Sequence, residues 1–195
     1  MCNRKNGFTI VEVSILFVIF LIVAFLVAPL SLNDTLHAKN VSRWKRVQAD
    51  FNNIFDSINL AMIQDGKNFS DAFNTVMNGE IRTISKPYKI VFMNGSNPSY
   101  QYRYDDYKTT HIGATIAYNL FDNQQDNLRG TLMYDVNGPV GPNAWGKDVF
   151  GLNIYSDHFE PFCKNDLINV QKQDCSRQGS GLCCSNYYLI GGNLN

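Results

Sequence analysis

Residues 7–32 read GFTIVEVSILFVIFLIVAFLVAPLSL, and this stretch organises the rest of the chain. No charged residue occurs from Val13 to Leu32. Twenty helical residues rise about 30 Å, which is the thickness of the hydrocarbon layer of a bilayer. The stretch therefore predicts a membrane-spanning helix. Glu12 lies at its N-terminal side, and a carboxylate in apolar surroundings needs a partner or access to water.

The composition narrows the possible functions. The chain has 195 residues with 17 basic and 17 acidic side chains, so it lacks the basic excess that is typical of nucleic-acid binding. Its length accommodates one membrane segment and one small globular domain. Neither the zinc-protease motif HExxH nor the GxSxG, P-loop and GxGxxG motifs occur in the sequence. We therefore expect no enzymatic activity.

The cysteines are concentrated near the C-terminus. Cys2 stands alone, whereas Cys163, Cys175, Cys183 and Cys184 follow a predicted export segment and therefore predict two disulfides. Because a bridge between the adjacent cysteines would be strained, we expect each of them to pair with Cys163 or Cys175, in either combination. A four-cysteine zinc site is the alternative, although adjacent cysteines rarely reach one tetrahedral ion.

The N-terminal stretch resembles the class III signal of type IV pilins and type II secretion pseudopilins. That signal has a short basic leader ending in Gly, and then an aromatic residue that opens a helix with Glu at its fifth position. Here Arg4 and Lys5 lie in the leader, Gly7 ends it, Phe8 follows, and Glu12 is fifth from Phe8. The resemblance therefore implies a prepilin with residues 1–7 as its leader.

The resemblance also implies how the chain is processed. A prepilin peptidase would cut between Gly7 and Phe8, and N-methylation of Phe8 would follow. Glu12 would pair with the Phe8 amine of a neighbouring subunit, because in a low-dielectric medium each charge needs the other. Pro29 matches the helix-kinking proline that pilins commonly carry, whereas Leu21 stands where pilins often have Gly.

The apolar pattern changes after the span. Apolar residues then recur mostly every three or four positions, which predicts an amphipathic helix continuing the first. These residues are Val41, Trp44, Val47, Phe51, Ile54, Phe55, Ile58 and Met62. A single helix from residue 8 to about residue 64 would be roughly 85 Å long. Pro29 removes one backbone hydrogen bond and should kink or locally unwind it.

Beyond the helix, short β-type runs between turn residues predict an antiparallel sheet. The strand candidates are residues 88–93, 100–104, 112–120, 130–136, 149–155 and 187–190. A short helix over residues 71–77 precedes them, with Ser70 as its cap and Asn78-Gly79 at its end. We therefore predict an α+β fold in which a long N-terminal transmembrane-plus-amphipathic helix packs on a small antiparallel sheet, as in pilins.

Residues 135–148, DVNGPVGPNAWGKD, form a second informative stretch. Hard oxygen ligands on a proline-stiffened loop suit Ca²⁺, which takes six to eight oxygens. The loop is not an EF-hand, but it loosely resembles the DxNG…PN…GxD loop of pseudopilin-like heads, and major pseudopilins bind calcium in a C-terminal loop. The candidate ligands are Asp135, Asn137, Asn143 and Asp148, with backbone carbonyls near Val140. A turn-rich connection between strands is the alternative.

These features predict a structural subunit of a type IV pilus-like or type II secretion pseudopilus filament. Residues 1–7 are the leader, 8–32 the transmembrane and assembly half of the helix, 33–65 its amphipathic half, and 66–195 an α+β head with a disulfide-rich end. The implied partners are other pilin-like subunits, the prepilin peptidase/methyltransferase and an assembly platform in the bacterial inner membrane. The chain would cross that membrane once, with its head in the periplasm or outside the cell.

The alternative is a signal-anchored periplasmic or surface domain that does not polymerise. Such a domain would bind its partner through the 135–148 loop or through an aromatic face. The alternating tyrosines Tyr100, Tyr102 and Tyr104 predict such a face, although a buried sheet surface explains the pattern equally simply.

Overall fold

The fold is taken from a computed structural model that describes residues 9–85, 87–121 and 127–193. The side chains of residues 26–33, 81 and 83–85 lie outside this description. The predicted leader and Phe8 therefore lie outside the described residues, as does the side chain of Pro29. The chain divides into two compact units, Met1–Lys39 and Asn40–Asn195. The helical residues from Asn40 onward thus belong to the same unit as the head.

The long helix α1 spans Ile10–Asp65, and its helical assignment runs through Pro29 without a break. In the first unit, the apolar side chains of residues 10–25 are largely exposed. Across the residues that the structure describes, no helix combines the length and the apolar character needed to cross a membrane.

In the second unit, α1 packs through the apolar face that the sequence predicts. Trp44, Phe51, Phe55 and Ile58 are buried in the main core, and the other four predicted residues pack against it. The helix ends at Asp65 because Gly66 adopts a positive φ of 62°, a conformation that favours glycine. The amphipathic half of the predicted helix is confirmed.

The second helix, α2, spans Phe69–Glu80, so it is longer than predicted. Its cap is Asn68 rather than Ser70, since the Asn68 side-chain oxygen accepts the backbone N–H of Asp71 at 2.9 Å. Asn78-Gly79 does not end the helix, which continues to Glu80. The position of the helix is therefore confirmed, and its predicted cap and end are wrong.

Six antiparallel strands form one sheet in chain order. They are β1 (Ile81–Ser85), β2 (Tyr107–Thr110), β3 (Thr115–Leu120), β4 (Leu128–Asp135), β5 (Val149–Tyr155) and β6 (Phe159–Pro161). Short helices α3 (Ile168–Asp174) and α4 (Cys184–Tyr187) follow the sheet. The α+β fold with an antiparallel sheet is confirmed.

Three of the strand predictions are wrong. Residues 88–93 contribute only an isolated bridge between Val91 and Ala144. Residues 100–104 begin with a 3₁₀ turn, Tyr100–Tyr102. Residues 187–190 begin with the last residue of α4 and continue as a turn instead of pairing with the sheet. The tyrosines therefore do not form one face of a strand: Tyr100 is 90% exposed and Tyr104 is 5% exposed.

Apolar side chains cover both faces of the sheet. One face packs against α1 and α2, with Leu132, Phe150 and Leu152 at the centre of the main core. The other face carries a second cluster, built around Trp145, Met133 and neighbouring aromatic side chains. The central strands β4 and β5 are therefore buried on both faces, which makes them a rigid frame for the loop that joins them.

The four C-terminal cysteines form two disulfides, Cys163–Cys183 and Cys175–Cys184. Each of the adjacent cysteines pairs with one of the earlier two, so the predicted pairing rule is confirmed. The structure also decides the connectivity, which the sequence left open.

Candidate functional site

The loop between β4 and β5 carries all four predicted oxygen ligands. Asp135 is the last residue of β4, and Asp148 directly precedes Val149, the first residue of β5. Since Asp135 and Val149 are paired in the ladder, the two carboxylates emerge at the same end of neighbouring strands. Both aspartates are fully buried. The position of this site thus follows from the register of the two central strands.

The Asp135 carboxylate is held from two sides. The hydroxyl of Tyr88 donates to Oδ2 at 2.6 Å, and the backbone N–H of Asn137 donates to Oδ1 at 3.1 Å. Tyr88 lies 47 residues earlier in the chain and in no strand. Nothing local marks it in the sequence, and only the tertiary fold brings it to the site.

The Asp148 carboxylate closes the other end of the loop. Its Oδ2 accepts the backbone N–H of Asn143 at 2.9 Å, and its Oδ1 accepts that of Ala144 at 2.8 Å. These bonds hold the part of the loop in which Asn143 and Gly146 adopt positive φ values of 49° and 76°. Part of the role of Asp148 is therefore to fix the turn, as the alternative interpretation of the loop requires.

Two amide oxygens in the loop are buried without a donor. They are Asn137 Oδ1 and Asn143 Oδ1, which find no hydrogen-bond partner among the described atoms. Their amide nitrogens do have partners, since Asn137 Nδ2 donates to the Val140 carbonyl and Asn143 Nδ2 to that of Pro139. A buried acceptor without a donor is uncommon in folded proteins and calls for an explanation.

The two carboxylates have unusual proton affinities. Burial raises the pKa of Asp135 to about 7, and the nearby charge of Asp148 acts in the same direction against the hydrogen bonds from Tyr88 and Asn137. Burial also raises the pKa of Asp148, although its hydrogen bonds from the loop oppose this. The site therefore disfavours two uncompensated negative charges.

The arrangement fits a hard divalent cation. The loop carries two buried carboxylates with raised pKa values and two amide oxygens that lack donors. Carboxylate and amide oxygens are the groups that calcium takes as ligands. None of the ion pairs in the described part of the chain involves Asp135 or Asp148. A bound cation would supply the missing positive charge.

The long helix contacts this loop directly. The guanidinium of Arg43 donates to the Val136 carbonyl at 3.3 Å, and Asn40 Nδ2 donates to the Lys147 carbonyl at 3.4 Å. Both ends of the loop are thereby tied to α1. A ligand that stiffens the loop would also stiffen the attachment of the head to this part of the helix.

At the N-terminus, Glu12 has a partner that the sequence analysis missed. Its carboxylate accepts the backbone N–H of Thr9 at 2.8 Å and the Thr9 hydroxyl at 2.9 Å, and the Glu12 N–H donates back to that hydroxyl at 3.3 Å. This is a capping box, for which Thr-x-x-Glu is the sequence signature. Glu12 therefore stabilises the start of α1. Gly7 and Phe8 lie outside the described residues.

Comparison of the chain with protein-family models, curated proteins and solved structures finds no match.

Proposed function

We propose that this chain is a structural subunit of a type IV pilus-like or type II secretion pseudopilus filament. It is made as a precursor, cut between Gly7 and Phe8 and N-methylated at Phe8. It is then stored in the bacterial inner membrane and assembled through its N-terminal helix. Its partners are other pilin-like subunits, the peptidase and the assembly platform.

One observation carries the proposal. The apolar side chains of residues 15–23 are exposed at consecutive positions, so they cover the whole circumference of α1. Soluble monomers rarely expose so large a contiguous apolar surface, because its burial is strongly favourable. Either lipid or the helices of other subunits must cover it. A subunit that moves from membrane to filament needs both environments in turn.

The polar groups at the start of this segment suit apolar surroundings. The hydroxyl of Ser14 donates to the Ile10 carbonyl at 2.8 Å, so it needs no water. Among the described residues, one oxygen of the Glu12 carboxylate accepts two hydrogen bonds, both from Thr9, and the other oxygen accepts none. After cleavage, the new Phe8 amine would be a cation at a similar depth. A carboxylate and an amine in low dielectric attract strongly, which would select the register between subunits.

Calcium is proposed as the ligand of the loop between β4 and β5. Asp135, Asn137, Asn143 and Asp148 would hold the ion, and the ion would neutralise the buried carboxylates. Its role would be structural, because the loop joins the two central strands and is tied to α1 through Arg43. A rigid head would help subunits pack in one orientation.

Mass spectrometry of the chain extracted from bacterial membranes tests the filament proposal. In cells with an active prepilin peptidase we expect an N-terminal peptide that begins at Phe8 and carries one added methyl group. Cells lacking the peptidase are the matched control and should yield the intact leader. An intact leader in both strains would remove the proposal and favour the anchored binding domain.

A further inference from the structure

The two disulfides differ in their surroundings. Cys175 and Cys184 are 2% and 0% exposed and belong to the main core. Cys163 is half-buried and Cys183 is 6% exposed, and both line an open groove of about 700 Å³. A reductant in solution therefore reaches the Cys163–Cys183 bridge through the groove, whereas the other bridge is shielded by packed side chains.

A tight turn places an acid beside the accessible bridge. The backbone N–H of Asp166 donates to the Cys163 carbonyl at 3.0 Å, and Cys163 adopts a φ of 63°. The Asp166 carboxylate thereby lies 3.9 Å from the Sγ atom of Cys183. The Asp166 backbone is fixed as well, since its carbonyl accepts Nε2 of the buried Gln171 at 2.8 Å.

These three side chains are of types that bind metal ions, and they lie close together because Cys163 and Cys183 are bonded to each other. One carboxylate oxygen of Asp166 and the Sγ atoms of Cys163 and Cys183 all lie within 4.8 Å of one another. Cys163 and Asp166 are separated by two residues, which is the spacing of the ligand pair in many zinc knuckles. The groove leaves room for water as a fourth ligand.

We propose that Cys163, Asp166 and Cys183 bind a thiophilic divalent ion, zinc above all, when the Cys163–Cys183 bridge is open. A dithiol reductant supplies two electrons, the S–S bond breaks, two thiols form, and the reductant becomes a cyclic disulfide. The ion then displaces the two thiol protons and bonds to both sulfurs and to the carboxylate. No such site follows from the cysteine spacing alone, because the third ligand is an aspartate.

The ligands stay in position after the bridge opens. The backbone N–H of Cys183 donates to Asp174 Oδ2 at 2.8 Å, and its neighbour Cys184 remains bonded to Cys175. Asp174 also accepts the backbone N–H and the hydroxyl of Ser180 at 2.9 and 2.6 Å. The segment carrying Cys183 is therefore held independently of the bridge that is reduced. To bind one tetrahedral ion through bonds of about 2.3 Å, the two sulfurs must move apart to roughly 3.8 Å.

The first test is selective reduction of the full-length chain in mild detergent. Increasing dithiothreitol is followed by alkylation and peptide mapping. We expect Cys163 and Cys183 to be labelled at a reductant concentration at least about tenfold below that needed for Cys175 and Cys184, because access of the reductant limits exchange. Labelling of all four cysteines at one concentration would overturn the proposal.

The second test is metal binding by the singly reduced chain, freed of reductant without air. Titration with Co²⁺ should give a thiolate-to-cobalt charge-transfer band at one ion per chain, and Zn²⁺ should abolish it. Asp166→Asn should weaken Co²⁺ binding about tenfold or more, and Asp166→His should restore it, since ligand substitutions have effects of at least this size. Asp157→Asn, on an exposed residue, is the matched control and should bind as the wild type does.

The Asp166 variants should fold as the wild type does, so a change in Co²⁺ binding would report on the ligand. The Asp166 side chain is exposed, so its replacement leaves the core intact, and preserved disulfides in each variant verify the fold before reduction. Absence of the charge-transfer band in the singly reduced wild type would sink the proposal. Equal Co²⁺ affinity in the wild type and Asp166→Asn would sink it as well.

Discussion

Trp44 of the long helix stacks on Phe150 of the central strand β5, with ring centroids 4.9 Å apart and planes inclined by 13°. Both side chains are fully buried. The indole N–H of Trp44 donates to the Ser185 carbonyl at 2.8 Å, so this one residue joins the helix, the sheet and the disulfide-bonded C-terminal region. Trp44 therefore contacts all three of these parts of the second unit.

Replacing Trp44 should therefore destabilise the head strongly. Trp44→Ala should lower the free energy of unfolding by about 3–5 kcal/mol through loss of packing. Trp44→Phe should lower it by more than Trp145→Phe, because the indole N–H of the equally buried Trp145 has no acceptor among the described residues. We expect a difference of about 1–2 kcal/mol in urea denaturation. Equal losses would show that the Trp44 hydrogen bond contributes nothing.

The order of apolar, polar and turn-forming residues along the chain predicts several parts of the fold correctly. The apolar face of α1 follows from helical periodicity, and strand β5 coincides with the predicted residues 149–155. Residues 135–148 are predicted to be a loop because Asp, Asn, Gly and Pro are concentrated there, and these residues favour turns. In each case the local preference and the tertiary environment favour the same structure.

The remaining parts depend on contacts that no local pattern encodes. The edge strand β6 is three residues long and ends in Pro161, which a sheet tolerates only at an edge. The prediction of a strand at residues 187–190 is wrong because a short apolar run does not distinguish a strand from a helix. Cys183 and Cys184 are both disulfide-bonded, and the chain from Cys184 to Tyr187 forms α4. Likewise, only the tertiary fold pairs Tyr88 with Asp135.

The two disulfides should contribute unequally to stability. Their sequence separations of 20 and 9 residues favour Cys163–Cys183 by only about 0.7 kcal/mol of chain entropy. Replacing Cys175 and Cys184 by serine, however, buries two hydroxyls in the main core, at about 1–3 kcal/mol each when they lack partners. The Cys175→Ser/Cys184→Ser variant should therefore be the less stable in thermal denaturation. A lower midpoint for Cys163→Ser/Cys183→Ser would contradict this order.

The buried carboxylates should make the head less stable as the pH rises. Because the folded-state pKa of Asp135 is raised to about 7, the folded state binds this proton more tightly than the unfolded chain does. With chelator present, the stabilising effect of this proton should be complete below about pH 4 and lost as the pH approaches 7, a change on the order of a few kcal/mol. Asp135→Asn should flatten the decline, whereas Asp106→Asn, on an exposed residue, should leave it unchanged.

Calcium should raise the unfolding midpoint at neutral pH. An ion at one hundred times its dissociation constant stabilises a native state by about 2.7 kcal/mol. Asn143→Gly should abolish this gain and lower stability in chelator only slightly. Glycine tolerates the positive φ of 49° but offers no amide oxygen, and the bond that it removes, from Asn143 Nδ2 to the Pro139 carbonyl, is long at 3.4 Å. The measurement is a thermal melt with calcium, magnesium or chelator. Identical wild-type midpoints with calcium and with chelator would remove the metal from the proposed function.

Substitutions at Glu12 and Thr9 separate two roles of the same carboxylate. Glutamine also serves as the last residue of a capping box, so Glu12→Gln keeps the helix start but removes the charge. Thr9→Ala does the opposite, because it removes the hydroxyl and leaves the carboxylate charged. If Glu12 pairs with the Phe8 amine of a neighbouring subunit, Glu12→Gln and Glu12→Ala should both abolish filaments, whereas Thr9→Ala should still assemble.

The readout is the amount of chain in sedimented filaments relative to the membrane fraction, in cells that process the leader. All three variants should remain in the membrane fraction, since the apolar segment is unchanged and each one replaces a side chain in the first turn only. Filaments of Glu12→Gln at wild-type yield would mean that the carboxylate serves the helix start rather than a neighbouring amine. Assembly would then depend on the exposed apolar side chains of residues 15–23, and a carboxylate–amine pair would not set the register between subunits.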